Sequence, residues 1–291
     1  MSRVKSDSTV LPSALDRVVR RVSGLSTLPD VAIRVIEVAN NDAAGAQDLK
    51  VAMEGDVALC ARVLRLVNSS AYGLRQRVSN VQAAIAYLGF RQIRNVALTA
   101  CVSDLFKEDR PIGKYRRSAL WRHLVAVGIC ARMVAMRCRL DNFEDVFLAG
   151  LMHDIGIILE DQYTHAQFEQ VLASLEGADS LAAIERRELG FAHTELGAAV
   201  AEHWRFPDIV TAGIRCHHGE HRDSAEYPKA VHCVEVANIL CTLKGISSVG
   251  VNLLRPTLPP ANVLDLTVAD LEALFIDLDE ELERHAALFT L

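Results

Sequence analysis

Apolar residues recur at helical spacing on both sides of Gly89, and this pattern constrains the chain more than any other feature. Val81, Ala84, Ile85 and Leu88 fall at i, i+3, i+4 and i+7, and Ile93, Val96, Ala97 and Ala100 repeat the spacing beyond it. Ser79 and Gln82 have the spacing of a capping box, so the first helix is expected to begin at Ser79, with Gly89 as its C-terminal stop. The second helix is expected to turn a narrow apolar stripe to a core. Further upstream, Leu28-Pro29 opens another helix and Asn40-Asn41-Asp42 with Gly45 closes it. Aromatic residues make up only 5% of the 291, and there are eight prolines, a mixture that favours packed helices over sandwiches or barrels. The expected fold class is all-α.

The stretch KEDRPIGK at 107–114 gathers charge, Pro and Gly, as a linker between two helical bodies would. It divides the chain into an N-terminal helical part at 11–110, a second helical block at 111–244 and a tail at 245–291. The tail passes through GISSVGVNLLRPTLPP and ends in a helix starting near Thr267, with Leu271, Leu274, Phe275, Leu278 and Leu282 on one side.

Charge is distributed in blocks. Residues 265–283 hold eight carboxylates and no Lys or Arg, whereas residues 57–103 hold six arginines (62, 65, 75, 77, 91 and 94) and no acid. Such blocks attract within one chain, between subunits or toward separate partners, or are simply solvated faces. Arg62, Arg65, Arg91 and Arg94 are the candidate surface for a protein partner. A net charge of −6 and the lack of a recognition motif argue against nucleic acid. Residues 1–7 are polar and charged, and no run of eighteen apolar residues occurs, so the expected location is the cytoplasm, away from membranes. The seven cysteines are an odd number without a Cys-x-x-Cys pair, which reads as reduced core residues.

Nine of the ten histidines lie within 118–243, and that uneven distribution is the first sign of chemistry. His123 falls on an expected helix at 120–136, His153-Asp154 follows an apolar helical stretch, His193 starts a helix at 193–204, and His217-His218 ends one running from Pro207. Neighbouring residues on a helix point about 100° apart, so His153 and Asp154 reach one ion only at the end or edge of a turn. A His-Asp pair read alone is also what an Asp capping a turn beside an exposed His would give. Together, five imidazoles and a carboxylate, with no thiolate, suit Fe, Mn or Zn rather than a Cys-rich structural site. The remaining histidines (165, 203, 221, 232 and 285) read as surface or core positions.

The ordered set His, His-Asp, His, His-His resembles the HD superfamily of metal-dependent phosphohydrolases, particularly the HD-GYP branch. Leu28-Pro29, Gly55-Asp56, the segment RLVNSSAYG at 65–73, Ala83-Ala84-Ile85 and Leu88-Gly89 resemble the HDOD family, the HD-related output domain. Trp121-Arg122-His123, AGLMHDIG at 149–156, Glu185, GFAHTELG at 190–197 and His217-His218 extend the resemblance over about residues 20–242. It implies an N-terminal HDOD helical subdomain packed on an HD-like helical domain, and a role in bacterial signalling as a non-catalytic regulator. The alternative it carries is a phosphohydrolase acting on a nucleotide or cyclic dinucleotide.

By the same resemblance His123, His153, Asp154, His193, His217 and His218 would hold one or two divalent ions, with Asp154 bridging two and Glu185 orienting a ligand from behind. A nucleotide ligand and a signalling protein are the implied partners. Two positions depart from the catalytic pattern. Ile157 stands where an HD-GYP enzyme has a phosphate-holding Lys, and Asn238 where an Asp would complete the ligand set, Glu235 being the nearby acid. Arg122, Arg215 and Arg222 flank ligand positions, and Glu220, Asp223 and Tyr227-Pro228 echo the family signature with altered spacing.

Overall fold

The computed structural model describes residues 13–24, 28–41, 43–175, 180–219, 226–249 and 259–290. Among these the chain is helical with no strand beyond a single antiparallel bridge, Ile112 to Tyr115, at the end of the 107–114 break. The N-terminal helices are α1 (Ala14–Gly24), α2 (Asp30–Ala39), α3 (Ala46–Glu54), α4 (Val57–Val67), α5 (Val81–Leu88) and α6 (Phe90–Val102). After the break come α7 (Arg117–Arg137), α8 (Phe143–Met152), α9 (Ile155–Tyr163), α10 (His165–Ala173), α11 (Leu181–Glu188), α12 (His193–His203), α13 (Asp208–Cys216) and α14 (Pro228–Leu243). The tail carries α15 (Pro259–Val263) and α16 (Val268–Arg284).

Side-chain caps set several of these boundaries. Asp56 caps α4 by accepting from the Leu59 N–H, and Thr267 with Asp270 forms a capping box at the start of α16. The cap of α5 is Asn80, whose side chain accepts from the Ala83 N–H, and not Ser79. The residue one place later has the extended backbone of a cap, φ −148° and ψ 159°, and an amide oxygen does the work that the Ser79 hydroxyl was expected to do. Gly89, at φ +84°, ends α5 and at once begins α6, a conformation that favours glycine. From Ile93 to Val102 every residue of α6 is buried, so this helix is enclosed rather than striped. It packs against α2, α4 and α5 on one side and α8 on the other.

Helix α7 is the axis of the second block, flanked by α8 and α14. It is the one described helix long and apolar enough to cross a membrane, and 72% of its apolar window is buried inside the fold. Its approach to α8 depends on small residues. A Cβ at Gly150 would lie 2.9 Å from the Val127 carbonyl oxygen and 3.0 Å from the Ala131 methyl.

A buried polar network joins the N-terminal helices to this block. Arg94 donates to its neighbour Asn95 and to Asp145 at 2.8 Å, while Asn95 donates to the backbone and side chain of Glu144. Not all of the first segment stays on the N-terminal side, because α1 packs against α9 and α12 of the second block. The tail also returns to the second block, with α16 lying along α7. All seven cysteines are free thiols, five of them buried.

Candidate metal centre

Adjacent residues reach the same point because the helix breaks between them. His153 is the C-terminal cap of α8 and Asp154 the N-terminal cap of α9, where its backbone carbonyl accepts from the Ile157 N–H at 3.0 Å. The turn needs Gly156, since a Cβ there would meet the His193 carbonyl oxygen at 2.0 Å. That contact seats the first turn of α9 on the start of α12 and brings His193 beside Asp154. His217 follows the last residue of α13, with His218 next to it, and His123 projects from within α7.

The geometry centres on the Asp154 carboxylate. Oδ1 lies 3.1 Å from His217 Nε2 and 3.4 Å from His193 Nε2. Oδ2 lies 3.3 Å from His153 Nε2 and 3.6 Å from His123 Nε2. The other close approaches are between imidazoles, His123 Nε2 to His153 Nε2 at 3.3 Å and His193 Nε2 to His218 Nε2 at 3.0 Å. Two groups of donors therefore share Asp154, one with His123 and His153, the other with His193, His217 and His218.

Tautomers follow from the acceptors behind the rings. A carbonyl oxygen only accepts, so the imidazole nitrogen against it carries the proton and leaves the other nitrogen bare. His123 Nδ1 donates to the Ile246 carbonyl at 2.8 Å, His153 Nδ1 to that of Gly150 at 2.7 Å, and His217 Nδ1 to that of Ile214 at 2.9 Å. All three thus aim an unprotonated Nε2 at the carboxylate. His193 is held differently, because Glu185 Oε2 accepts from both its Nδ1, at 2.6 Å, and its backbone N–H, at 2.9 Å.

The electrostatics of the centre call for a cation. Burial opposes charge on His123, His193 and His217, and neighbouring rings add to it at His123, which is pushed down to about 4, and at His217, which lies below its usual value. His218 is exposed as a residue, but its ring is packed against those of His217 and His193, and the loss of water there, then the two rings, hold its pKa well below the usual value. His193 goes the other way, since Glu185 and Asp154 outweigh burial and hold its pKa well above the ordinary value. Burial would raise the Asp154 pKa, yet the surrounding imidazoles keep it well below the carboxylate range. At the His123–His153 pair an anion faces two bare lone pairs 3.3 Å apart, an arrangement that a metal ion relieves, whereas at the His193–His218 pair, 3.0 Å apart, the proton favoured on His193 occupies the place that an ion would take. Two nitrogens bound to one ion at about 2.0–2.1 Å sit about 3.0–3.4 Å apart for right-angle to tetrahedral coordination. The imidazole pairs match that spacing, so the donor set fits a divalent ion.

The structure brings together all six expected ligands, with Glu185 behind one of them. Asn238 does not join them through a hydrogen bond: its side-chain oxygen accepts from Thr242 Oγ1, one turn along the same helix. Glu235 pairs with His232 at 2.8 Å. Ile157 is fully buried. Arg122 is exposed and Arg215 pairs with Glu202, while Arg222, with Glu220, His221 and Asp223, lies outside the described residues. Of the other histidines, His203 is exposed, His165 pairs with Asp161, and His232 and His285 are buried.

The partner surface expected of four arginines is corrected. Arg62 is bound bidentately to Asp104 and also donates to the Ala100 carbonyl, and Arg94 is buried against Asp145. Both neutralise acids from beyond their own block, so neither is available to a partner. Arg65 and Arg91 stay exposed, Arg91 standing 4.0 Å from Asp145.

Sequence reading had no access to the carbonyls of Gly150, Ile214 and Ile246, since a backbone acceptor leaves no mark in a residue string. It also missed Glu160, fully buried behind Glu185, with neither carboxylate oxygen hydrogen-bonded. Burial, then the Glu185 charge, push its pKa well above normal, which favours its protonated form. An acidic residue inside the apolar run IGIILEDQY was the available signal.

Comparison with known proteins gives a consistent family. Residues 25–220 match the family model described as HDOD domain. The fold is similar to that of an HDOD domain protein of unknown function from Geobacter sulfurreducens, with TM-score 0.77, 26% identity, and coverage of 94% of this chain and 96% of that one. A proposed signal transduction protein from Marinobacter aquaeolei is similar at TM-score 0.75 and 25% identity, over 95% of this chain and 64% of that one. A proposed phosphohydrolase from Shewanella amazonensis shares the fold at TM-score 0.73 and 22% identity, over 96% and 97% of the two chains. An uncharacterized protein of Treponema pallidum is 23% identical over 222 residues, 75% of this chain, which spans only 42% of that relative.

Proposed function

The chain belongs to the HDOD family, and we propose that it is a regulatory protein of bacterial signalling whose HD-like body holds one or two divalent ions of the Fe, Mn or Zn class without using them for catalysis. The observation that carries the metal reading is the split of the Asp154 oxygens between two imidazole groups. His123, His153 and Oδ2 would hold one ion, and His193, His217, His218 and Oδ1 the other. Glu185 orients His193, and the carbonyls of Gly150, Ile214 and Ile246 orient His153, His217 and His123. An ion so placed supplies the positive charge that links four helix ends and α7 around one point, and it would polarise any water bound to it.

Two features support the regulatory reading. Every expected ligand except His218 is buried, Ile246 closing over His123, so a phosphoester has little access. At Ile157 the centre presents a buried apolar side chain where phosphate binding needs a cation. The likeness to a proposed signal transduction protein agrees with this reading. The ligand order itself favours the second reading, hydrolysis of a nucleotide or cyclic dinucleotide, with Asp154 holding the reacting centre.

The test is elemental analysis of the purified protein beside Asp154→Ala and the pairs His123→Ala/His153→Ala and His193→Ala/His218→Ala. Each pair is expected to lower metal content by the ion of its own group, and Asp154→Ala to lower both. Metal content equal in all four proteins, or absent from all four, overturns the site. Turnover of a cyclic dinucleotide by the metal-loaded protein, lost in Asp154→Ala, would replace the regulatory reading with the hydrolase.

A further inference from the structure

With Arg62 and Arg94 used internally and Arg91 standing 4.0 Å from Asp145, the arginine block is reduced to an outward set of Arg65, Arg75 and Arg77, all exposed. Among the described residues no carboxylate pairs with them. Arg65 and Arg77 rim a groove of about 1150 Å³ between α4 and residues 73–79, with Ala61, Leu64 and Leu74 along its apolar floor and no acid in its walls. The groove is built rather than incidental. Asn68 clamps its far wall to α4, donating to the Val78 carbonyl and accepting from the Val78 N–H, both at 2.8 Å. The exposed floor continues along α4 to Val57, which is 80% exposed.

The opposite character occurs on α16. Its inner side buries Leu274 and Leu278 and spends three acids within the chain, Asp270 on Arg137, Asp279 on Lys244 and Glu281 on Arg284. Its outer side is a stripe at successive helical turns, Val268, Glu272, Ile276, Glu280 and Glu283, all exposed, with Val268 at 72% and Ile276 at 67%. Among the described residues no cation pairs with Glu272, Glu280 or Glu283. An apolar ridge edged with carboxylates thus exists beside an apolar groove edged with guanidinium groups, and among the described residues none covers either.

We propose that the groove receives the outer face of α16 from a second copy of this chain. The helix cannot fill the groove of its own chain, because its inner face is fixed on α7. The two surfaces are neighbours on one molecule, as the Ser70 hydroxyl donating to the Arg284 carbonyl at 3.2 Å and the edge contact of Tyr72 with His285 show. Neighbouring complementary patches let one two-fold axis place each helix on the other copy's groove, giving a closed dimer instead of an open chain. Ile276 would meet the Leu64 and Leu74 floor, and Glu272 and Glu280 would face Arg65 and Arg77.

Sedimentation equilibrium of the full chain tests this by charge exchange. The wild type is expected to dimerise at concentrations up to about 100 µM. Arg65→Glu/Arg77→Glu and Glu272→Lys/Glu280→Lys should each raise the dimer dissociation constant at least about tenfold, and all four changes together should recover most of that loss. All eight side chains, native and substituted, lie on exposed positions, and unchanged circular dichroism melting confirms that each variant folds. A wild type that stays monomeric, a dimer indifferent to both pairs, or a quadruple variant no better than the doubles overturns the proposal. Binding of an acidic protein to a monomeric wild type would assign the groove to a different occupant and overturn it equally.

Discussion

The histidines of the second block and the arginines of the first are both dense clusters of one residue type, yet the fold treats them in opposite ways. Four imidazoles from four separate elements, spread from 123 to 217, converge so that a ring nitrogen of each lies within 3–4 Å of one carboxylate. The six arginines between 62 and 94 are dispersed instead, Arg62 and Arg94 into internal ion pairs, Arg65 and Arg77 to the rim of a groove, and Arg75 and Arg91 to the remaining surface. A ligand set is defined by a shared focus, and four of the imidazoles are aimed by a fixed acceptor behind the ring, a backbone carbonyl for His123, His153 and His217 and the Glu185 carboxylate for His193. A charge block has no focus of its own. Each arginine goes to whichever acid its helix face meets, and the acids that decide this, Asp104 and Asp145, lie outside the block.

The sharpest way to break the convergence is at the glycine beneath it. Gly156→Ala forces a methyl group against the His193 backbone and is expected to cost at least about 3 kcal/mol, because both contacting atoms belong to packed helix ends. Calorimetric unfolding checks this, and a loss below about 1 kcal/mol would show that α9 and α12 approach less closely than described. The arginines offer a matched pair. Arg94→Ala strands Asp145 and Asn95 and should cost about 2–4 kcal/mol, whereas Arg65→Ala should stay within about 0.5 kcal/mol. Equal costs in denaturant unfolding would erase the distinction between the internal and the outward sets.

Support behind the centre is tested by Glu185→Gln, which keeps size but leaves the His193 ring without its anionic acceptor. Metal affinity is expected to fall about 10–100-fold with the fold intact, read by competition with a chelator. The smallest effect concerns the tail. Burial lowers the pKa of His285, so a released tail takes up a proton near the ordinary value of about 6.5 while the docked tail resists it. Docking is therefore undiminished above that value and weakens as pH falls below it. Asp270, held down to about 2 by Thr267 and then Arg137, keeps its charge throughout that range. Trp121, whose indole N–H donates to the Leu288 carbonyl, reports the change by fluorescence between pH 7 and 5.

Periodicity, punctuation and residue type made much of this molecule readable in advance. The helices around Gly89, the helix from Thr267 and the placing of His153-Asp154 at a helix end all follow from local rules, which act within one or two turns. The ligand types could also be read, because imidazoles and a carboxylate in that order belong to a family whose fold is shared. The cap at Asn80 escaped because Ser79 and Asn80 are both good caps, and only the backbone angle chooses between them.

What the sequence determined by itself is therefore local and chemical: helix starts and stops, an all-α fold, and a metal-type set of side chains. The tertiary structure alone decided which acid each arginine meets, which carbonyl fixes each imidazole tautomer, and that α1 packs on α9 and α12. Those outcomes depend on contacts between residues far apart in the chain, and the side chains that make them carry no sign of their partners until the helices have packed.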